Sequence, residues 1–367
     1  MRKMRSNMKY LPAAITLALF CTVLFFSSVM ARGLAADEQI IFFPSELTRD
    51  AVTGQYRLKI HGWVFEPEIA GVNLELFKKT MALEEEEDST VLKRRAGWFL
   101  TDNERGKDIY IRVGGQNYQM PKTKKNGHFQ TFVALGEDQI SEGLTQIHAV
   151  LPPADPRRFS GDVIRIFSDG LGVISDIDDT IKISNVLDKS ALLKNTFQRE
   201  FQVVPEMPAL YKKWRETSGN VNFYYVSSSP WQLYPELEKF MSDAGFPKGA
   251  FYLKNFRMKD RSFLNLFSDP LAYKMGAIEA IIAQAPAKKF ILVGDSGEKD
   301  PEVYAAVLKK YPDRILAIYI RDVRADKTAI DARMADLFKE CAKQCHWQYF
   351  TDPKMIAFQN MNAATEK

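Results

Sequence analysis

The sequence predicts an α/β protein in which a parallel sheet is preceded by an antiparallel β-sandwich-like region, and three observations carry that prediction. Up to about residue 168 the chain is a series of short runs rich in β-branched and aromatic residues, broken by Gly, Pro, Asn and Asp. From about residue 170, apolar runs of strand length alternate with helical segments. These later runs are apolar throughout, as strands buried on both faces must be, and each ends in polar residues.

The first 36 residues stand apart. Arg2, Lys3, Arg5 and Lys9 form a cationic start, an apolar run follows from 11 to about 26, and small residues come at Ala31, Ala35 and Ala36. That is the layout of a signal peptide. The run to Ala31 is also long enough to span a bilayer as an uncleaved anchor. Phe20, just before Cys21, is too bulky for lipoprotein processing. Residues 1–36 are thus expected to be a signal peptide or an anchor, and the rest to be exported, either periplasmic or membrane-associated outside the cytoplasm. The net charge of the chain is +4. Removing the segment takes Arg2, Lys3, Arg5, Lys9 and Arg32 with it and leaves −1, so no basic surface points to nucleic acid.

Residues 37–160 are expected to form the β-sandwich-like domain. Its strands are read from QIIFFPSEL, QYRLKIHGWVFEP, KDIYIRVGGQNYQM, GHFQTFVALG and LTQIHAVLP, with Asn126-Gly127 as a hairpin signal. Within it, residues 72–95 have helical spacing around an acidic cluster at 84–88, which reads as a solvated face. The next domain is expected over 161–340. Its strands are read from GVISD, NFYYVSSS, FILVGD and RILAIYIRD, and sheets of this kind bind ligands beyond the carboxyl ends of their strands. Residues 341–367 form a tail. There Cys341 and Cys345 are either one disulfide or two thiols.

The chemistry gathers at the strand ends. Asp176, Asp178 and Asp179 crowd the frame Asp-x-Asp-x-Thr that closes on Thr180. A calcium loop would need Gly and Glu where Ile181 and Leu187 stand, so that reading fails. A plain acidic turn and a cation site both remain open on this segment alone. Further along, Ser227 and Ser228 end a strand, Lys274 begins a helix, Asp295 sits at a strand tip, and Asp300 precedes Pro301 as an N-cap would. Lys182, Trp231 and Arg321 lie near strand ends, where two readings stand: contact with substrate, and the simpler one of surface or packing roles. The four histidines show no ligand-like spacing.

In this order, Asp-x-Asp-x-Thr, Ser, Lys and Gly-Asp-x4-Asp resemble the haloacid dehalogenase-like phosphatases. The segments VISDIDDTIKISNV, NTF, FYYVSSSPWQLYPELEKF, GFPKG and KFILVGDSGEKDPEVY further resemble the phosphatidate phosphatase catalytic domain first known from fungal actin-patch proteins, with bacterial members. The similarity is strong over about 160–325. It is looser over LKIHGWVFEP and NGHF. No key position departs from the family pattern.

That resemblance implies a parallel, Rossmann-like haloacid dehalogenase fold and a Mg²⁺-dependent phosphatase. Asp176 would be the nucleophile that becomes an aspartyl-phosphate, and Asp178 the general acid and base. Lys274 would hold nucleophile and phosphate, with Ser227, Ser228 and Thr180 on the substrate side. The metal would sit among Asp176, Asp178 (through its backbone carbonyl), Asp295 and Asp300. Phosphatidate at a membrane surface is the implied substrate, giving diacylglycerol and phosphate. Two other readings stand beside it: the same chemistry on a soluble or protein phosphoester, and an exported binding protein without catalysis. The aromatic and basic stretch 251–267 would lie at a bilayer in the first reading, or would split between core and solvent. No protein partner of the β-domain can be named from sequence.

Overall fold

The computed structural model describes residues 33–50, 52–67, 74–83, 90–140, 144–256, 270–324, 327–339 and 345–356. The expected signal peptide or anchor up to residue 32, the acidic cluster at 84–88, most of the basic stretch after residue 256, and Cys341 lie outside them. No helix among the described residues is long and apolar enough to cross a membrane.

Two sheets organise the chain. The first contains β1 (Gln39–Phe42), β2 (Ser45–Arg49), β3 (Tyr56–Glu66), β4 (Asp102–Asn103), β5 (Tyr110–Val113), β6 (Gln116–Gln119), β7 (His128–Leu135), β8 (Gln146–Ala149) and β9 (Ser160–Arg165). Its order is β1-β3-β2-β9-β8-β5-β6, with β4 and β7 also paired to β3. The pairs are antiparallel except β2 with β9, which run parallel. The run QIIFFPSEL, expected to be one strand, is two, because Pro44 has no N–H to give a ladder.

Burial along β3 explains how this sheet is used. Tyr56, Leu58 and Ile60 alternate with more exposed neighbours, whereas residues 62 to 65 are buried without interruption. Leu58, Ile60 and Val64 face a core shared with Ile111, Phe129 and Ile147. Trp63 and Phe65 face the other way, into a second core.

The second sheet is parallel throughout. It comprises β10 (Leu171–Ser175), β13 (Val221–Pro230), β14 (Ala250–Lys254), β15 (Lys289–Asp295), β16 (Ile315–Arg321) and β17 (His346–Phe350), in the order β14-β13-β10-β15-β16-β17. A small pair, β11 (Lys182–Ile183) and β12 (Gln202–Val203), stands outside it. β17 falls in the stretch expected to be a tail and pairs with β16. Every residue of the central β10 is buried, because helices such as Met207–Thr217 and Pro270–Gln284 cover the faces of the sheet.

The expected helical insertion is present as Leu74–Met81 and Thr90–Leu100, and both helices pack on the second sheet's half. Phe77 and Phe99 meet Phe197 edge-on, with ring centroids 5.5 and 5.4 Å away. Arg95 is fully buried there. Its guanidinium donates to the carbonyls of Thr196 and Arg199 at 2.9 and 2.6 Å, pairs with Glu236 at 3.2 Å, and covers the Phe201 ring at 3.7 Å. Phe43, Trp63 and Phe65 from the first sheet join the same core as Trp231 and Tyr234 from the second half. The two halves are therefore packed as one body.

Candidate active site

The carboxyl ends of β10, β13 and β15 lie side by side, since β10 is bonded to both neighbours. Chain that leaves these ends must turn, and the turns carry the polar residues singled out from sequence. Asp176 follows β10 directly, and its amide donates to Val293 O of β15 at 2.9 Å. Asp295 ends β15. Asp300 opens the helix Asp300–Lys310, whose first turn returns to the same place.

Asp176, Asp295 and Asp300 converge, with ligand oxygens all within 4.8 Å of one another. All three side chains are buried. Lys274, equally buried, donates to Asp176 Oδ1 at 2.7 Å, Asp300 Oδ1 at 2.5 Å and Glu298 Oε2 at 3.1 Å. Four carboxylates thus face one ammonium, a formal excess of three negative charges. Burial pushes Asp176 well above the usual carboxylate range, against the pull of Lys274. Burial also raises Asp295, helped by the charges of Asp300 and Glu298. Desolvation works against the charge of Lys274, but the carboxylates around it prevail and hold its pKa well above the ordinary value.

Two oxygens in this cluster, Asp176 Oδ2 and Asp295 Oδ2, are buried with no hydrogen-bond partner among the described residues. An orphaned buried carboxylate oxygen is costly. Two of them, in an all-oxygen donor set with excess negative charge, fit a hard divalent cation.

Asp178 points elsewhere. Its Oδ1 meets Lys182 Nζ and Ser184 Oγ at 2.7 Å each, and its Oδ2 accepts from Ser227 Oγ at 3.0 Å and Ser229 Oγ at 3.1 Å. Burial raises its pKa, but Lys182 and the hydroxyls outweigh that and bring it to about 2. The side chain of Asp178 thus lies outside the carboxylate cluster. Asp179 answers why a third aspartate is there. Its backbone is left-handed, with φ of 53°, and its carboxylate takes the amides of Ser184, Asn185 and Val186 at 2.8, 3.0 and 2.6 Å. It shapes the loop that presents its neighbours.

Several sequence expectations change. Asp300 is no N-cap: Lys299 holds that position, and the Asp300 carboxylate turns to Lys274 and to the Asp295 amide at 3.2 Å. Lys182 is buried against Asp178, because that carboxylate needs a counter-charge once it leaves water. Thr180 and Ser228 are buried with hydroxyls that find no partner among the described residues. The hydroxyls that reach Asp178 are those of Ser227 and Ser229. Arg321 donates to the Asp179 carbonyl at 2.6 Å, and Trp231 packs into the shared core. Sequence reasoning missed Ser184, Ser229 and Glu298. For Ser229 a signal existed: on a strand, 227 and 229 share a face.

Comparison with known proteins matches the stretch of chain that carries these residues. Residues 171–322 match the family model described as phosphatidate phosphatase APP1, catalytic domain. Phosphatidate phosphatase APP1 of Saccharomyces cerevisiae is 40% identical over 155 residues, which is 41% of this chain and 26% of that protein. An uncharacterised protein of Schizosaccharomyces pombe is 31% identical over 179 residues, 46% of this chain and 28% of its own length. The chain therefore spans little more than a quarter of the length of these relatives. A ferredoxin–NADP+ reductase structure from Plasmodium falciparum overlaps 86% of this chain and 96% of its own at 8% identity, but its TM-score of 0.16 carries no argument. Over residues 171–322, the chain is similar to the phosphatidate phosphatase APP1 catalytic domain.

Proposed function

We propose that the chain is a Mg²⁺-dependent phosphomonoesterase of the haloacid dehalogenase type, acting on phosphatidate at an exported membrane surface through an aspartyl-phosphate. The observation that supports this most is the buried trio Asp176, Asp295 and Asp300 with two unsatisfied oxygens at the ends of adjacent parallel strands. Asp176 and Asp295 would hold the cation, with Asp300 beside them and the Asp178 carbonyl completing the protein's share. Bound there, Mg²⁺ would offset the excess negative charge and polarise the phosphoryl oxygens.

The chain's own groups then divide the work. A carboxylate oxygen of Asp176 attacks phosphorus as the bond to the leaving alkoxide breaks, and Lys274 holds the nucleophile in place. A protonated Asp178 gives its proton to that alkoxide. Its present partners, Lys182 foremost, favour the charged form, so Lys182 must first move off Asp178 as Ser227 and Ser229 turn to the arriving phosphoryl oxygens. Once ionised again, Asp178 takes a proton from water, which attacks phosphorus and frees Asp176. Phosphate release from phosphatidate in mixed micelles, set against soluble monoesters, tests the reading. Wild type should prefer phosphatidate and Asp176→Asn should release none. Undiminished release by the variant would reject the nucleophile, and activity on neither substrate class would reject the enzyme.

A further inference from the structure

Where the two halves meet, His61 and His128 bond each other at 2.9 Å and burial keeps both rings neutral. The other end of the first sheet has the opposite character. Period-two alternation on β5 buries Ile111 and Val113 and turns Tyr110 and Arg112 outward. On β8 it turns His148 outward, and the antiparallel register sets His148 directly opposite Arg112 on that exposed face. Pro152 and Pro153 keep the chain from continuing the ladder. The loop that follows, ADPRRF, brings Arg157 and Arg158 to the same place.

These residues line two neighbouring cavities. One, of about 520 Å³, has Arg112, His148, Arg157 and Arg158 in its walls. The second, of about 480 Å³, has Leu34, Ile40, Ile109 and Tyr110. Residues 149–152 line both, so a cationic recess and an apolar one open side by side. The charges there do not cancel. Arg157 is spent on Asp155 at 2.6 Å and on the carbonyls of Ala36 and Glu38 at 2.9 and 2.5 Å. Lys122 pairs with Asp108 at 3.1 Å. Arg112, by contrast, gives only Nε, to Asn117 at 2.9 Å. Arg158 gives Nη1 to the carbonyls of Asp155 and Arg157 at 3.3 and 2.8 Å. Neither has a carboxylate partner among the described residues, and both are exposed. Two positive charges are left facing outward.

What such a surface meets is set by the chain that leads into it. Gly33 and Leu34 line the apolar cavity, and the apolar run long enough to span a bilayer ends at Ala31. Two residues reach at most about 7 Å. A retained run would hold this edge of the sheet against the headgroups, where tyrosine is favoured and where anionic lipid attracts arginine.

We propose that this edge of the first sheet is a docking surface for an anionic lipid bilayer, with Arg112 and Arg158 meeting lipid phosphates and Leu34 and Tyr110 lying at the depth of the headgroups. The inference rests on the membrane setting of the phosphatase reading, not on its chemistry.

Hydrogen exchange tests it, on the full-length protein held in nanodiscs of phosphatidylcholine with or without phosphatidylglycerol. Tethering by the first 31 residues is the same in both discs, so a difference between them reports headgroup charge alone. Amides in 108–113 and 147–160 should exchange more slowly with phosphatidylglycerol present. The slowing should vanish in the Arg112→Gln, Arg158→Gln double variant, whose docking equilibrium should fall about thirtyfold. Identical exchange in the two discs, slowing that survives in the double variant, or protection by phosphatidylglycerol confined to 251–267 would overturn the surface. Phosphate release by wild type is measured separately, on phosphatidate and on soluble monoesters. Release from neither, with the lipid-dependent protection intact, would overturn the phosphatase reading and keep the surface.

Discussion

Replacing Lys274 with methionine keeps the length of the side chain and removes the ammonium that binds Asp176, Asp300 and Glu298. Taking one partner from a buried ion pair leaves uncompensated charge and costs about 3–5 kcal/mol, a large share of the ~5–15 kcal/mol by which domains are stable. The loss should depend on pH in a set direction. Asp176, Asp295 and Glu298 have folded pKa values above their unfolded ones. Such groups contribute stability that is present below the unfolded value, near pH 4, and lost as pH rises through the folded value. Without Lys274 the folded values rise further, so the deficit should be greatest at pH 7.5 and shrink on acidification to pH 5. Urea denaturation of wild type and Lys274→Met at both pH values, without divalent metal, reads this directly. A deficit below about 1 kcal/mol at pH 7.5, or one that grows on acidification, would refute the charge accounting of the cluster.

Other consequences can be checked with single substitutions. Arg95→Met should lower stability by about 3 kcal/mol by orphaning two carbonyls, whereas Arg94→Met, on the exposed side of the same Glu236, should cost under about 1 kcal/mol; a similar urea midpoint for the two would contradict the buried clamp. His128, with a folded pKa of about 3, contributes stability present above its unfolded value near 6.5 and lost as pH falls below it. The melting temperature should therefore drop between pH 6.5 and 4, less steeply in His128→Gln; parallel curves would argue against a neutral buried ring. Ser227→Ala with Ser229→Ala should slow phosphate release by roughly tenfold to a hundredfold, since both hydroxyls turn to the phosphoryl group; unchanged turnover would remove them from the site.

Much of the site was legible because its signals are local. Asp176, Asp295 and Asp300 each occupy the residue at or just past the end of an apolar strand or the start of a helix, and a parallel sheet gathers such ends on one edge. Asp178 was legible by the same spacing, but its partner Lys182 was not. Four residues apart on a loop, a lysine reads as surface until the fold removes the water around it. Glu298 was hidden in the same way: a glutamate on a loop reads as solvated, and only the fold turns it inward to Lys274. Arg95 and the His61–His128 pair depend on contacts across 67 to more than 100 residues of chain, and no periodicity or spacing encodes those. The split of QIIFFPSEL at Pro44 was readable from proline chemistry, and the parallel pairing of β2 with β9 was not.

The covalent role of Asp176 is the centre of the account, and one measurement addresses it most directly. Wild type mixed with a ³²P-labelled phosphomonoester and Mg²⁺, quenched in acid within milliseconds and digested, should carry label on the peptide containing Asp176. The label should be released by hydroxylamine and should not form without Mg²⁺. Rapid product release with no labelled peptide at any quench time, or label on a peptide lacking residue 176, would contradict it.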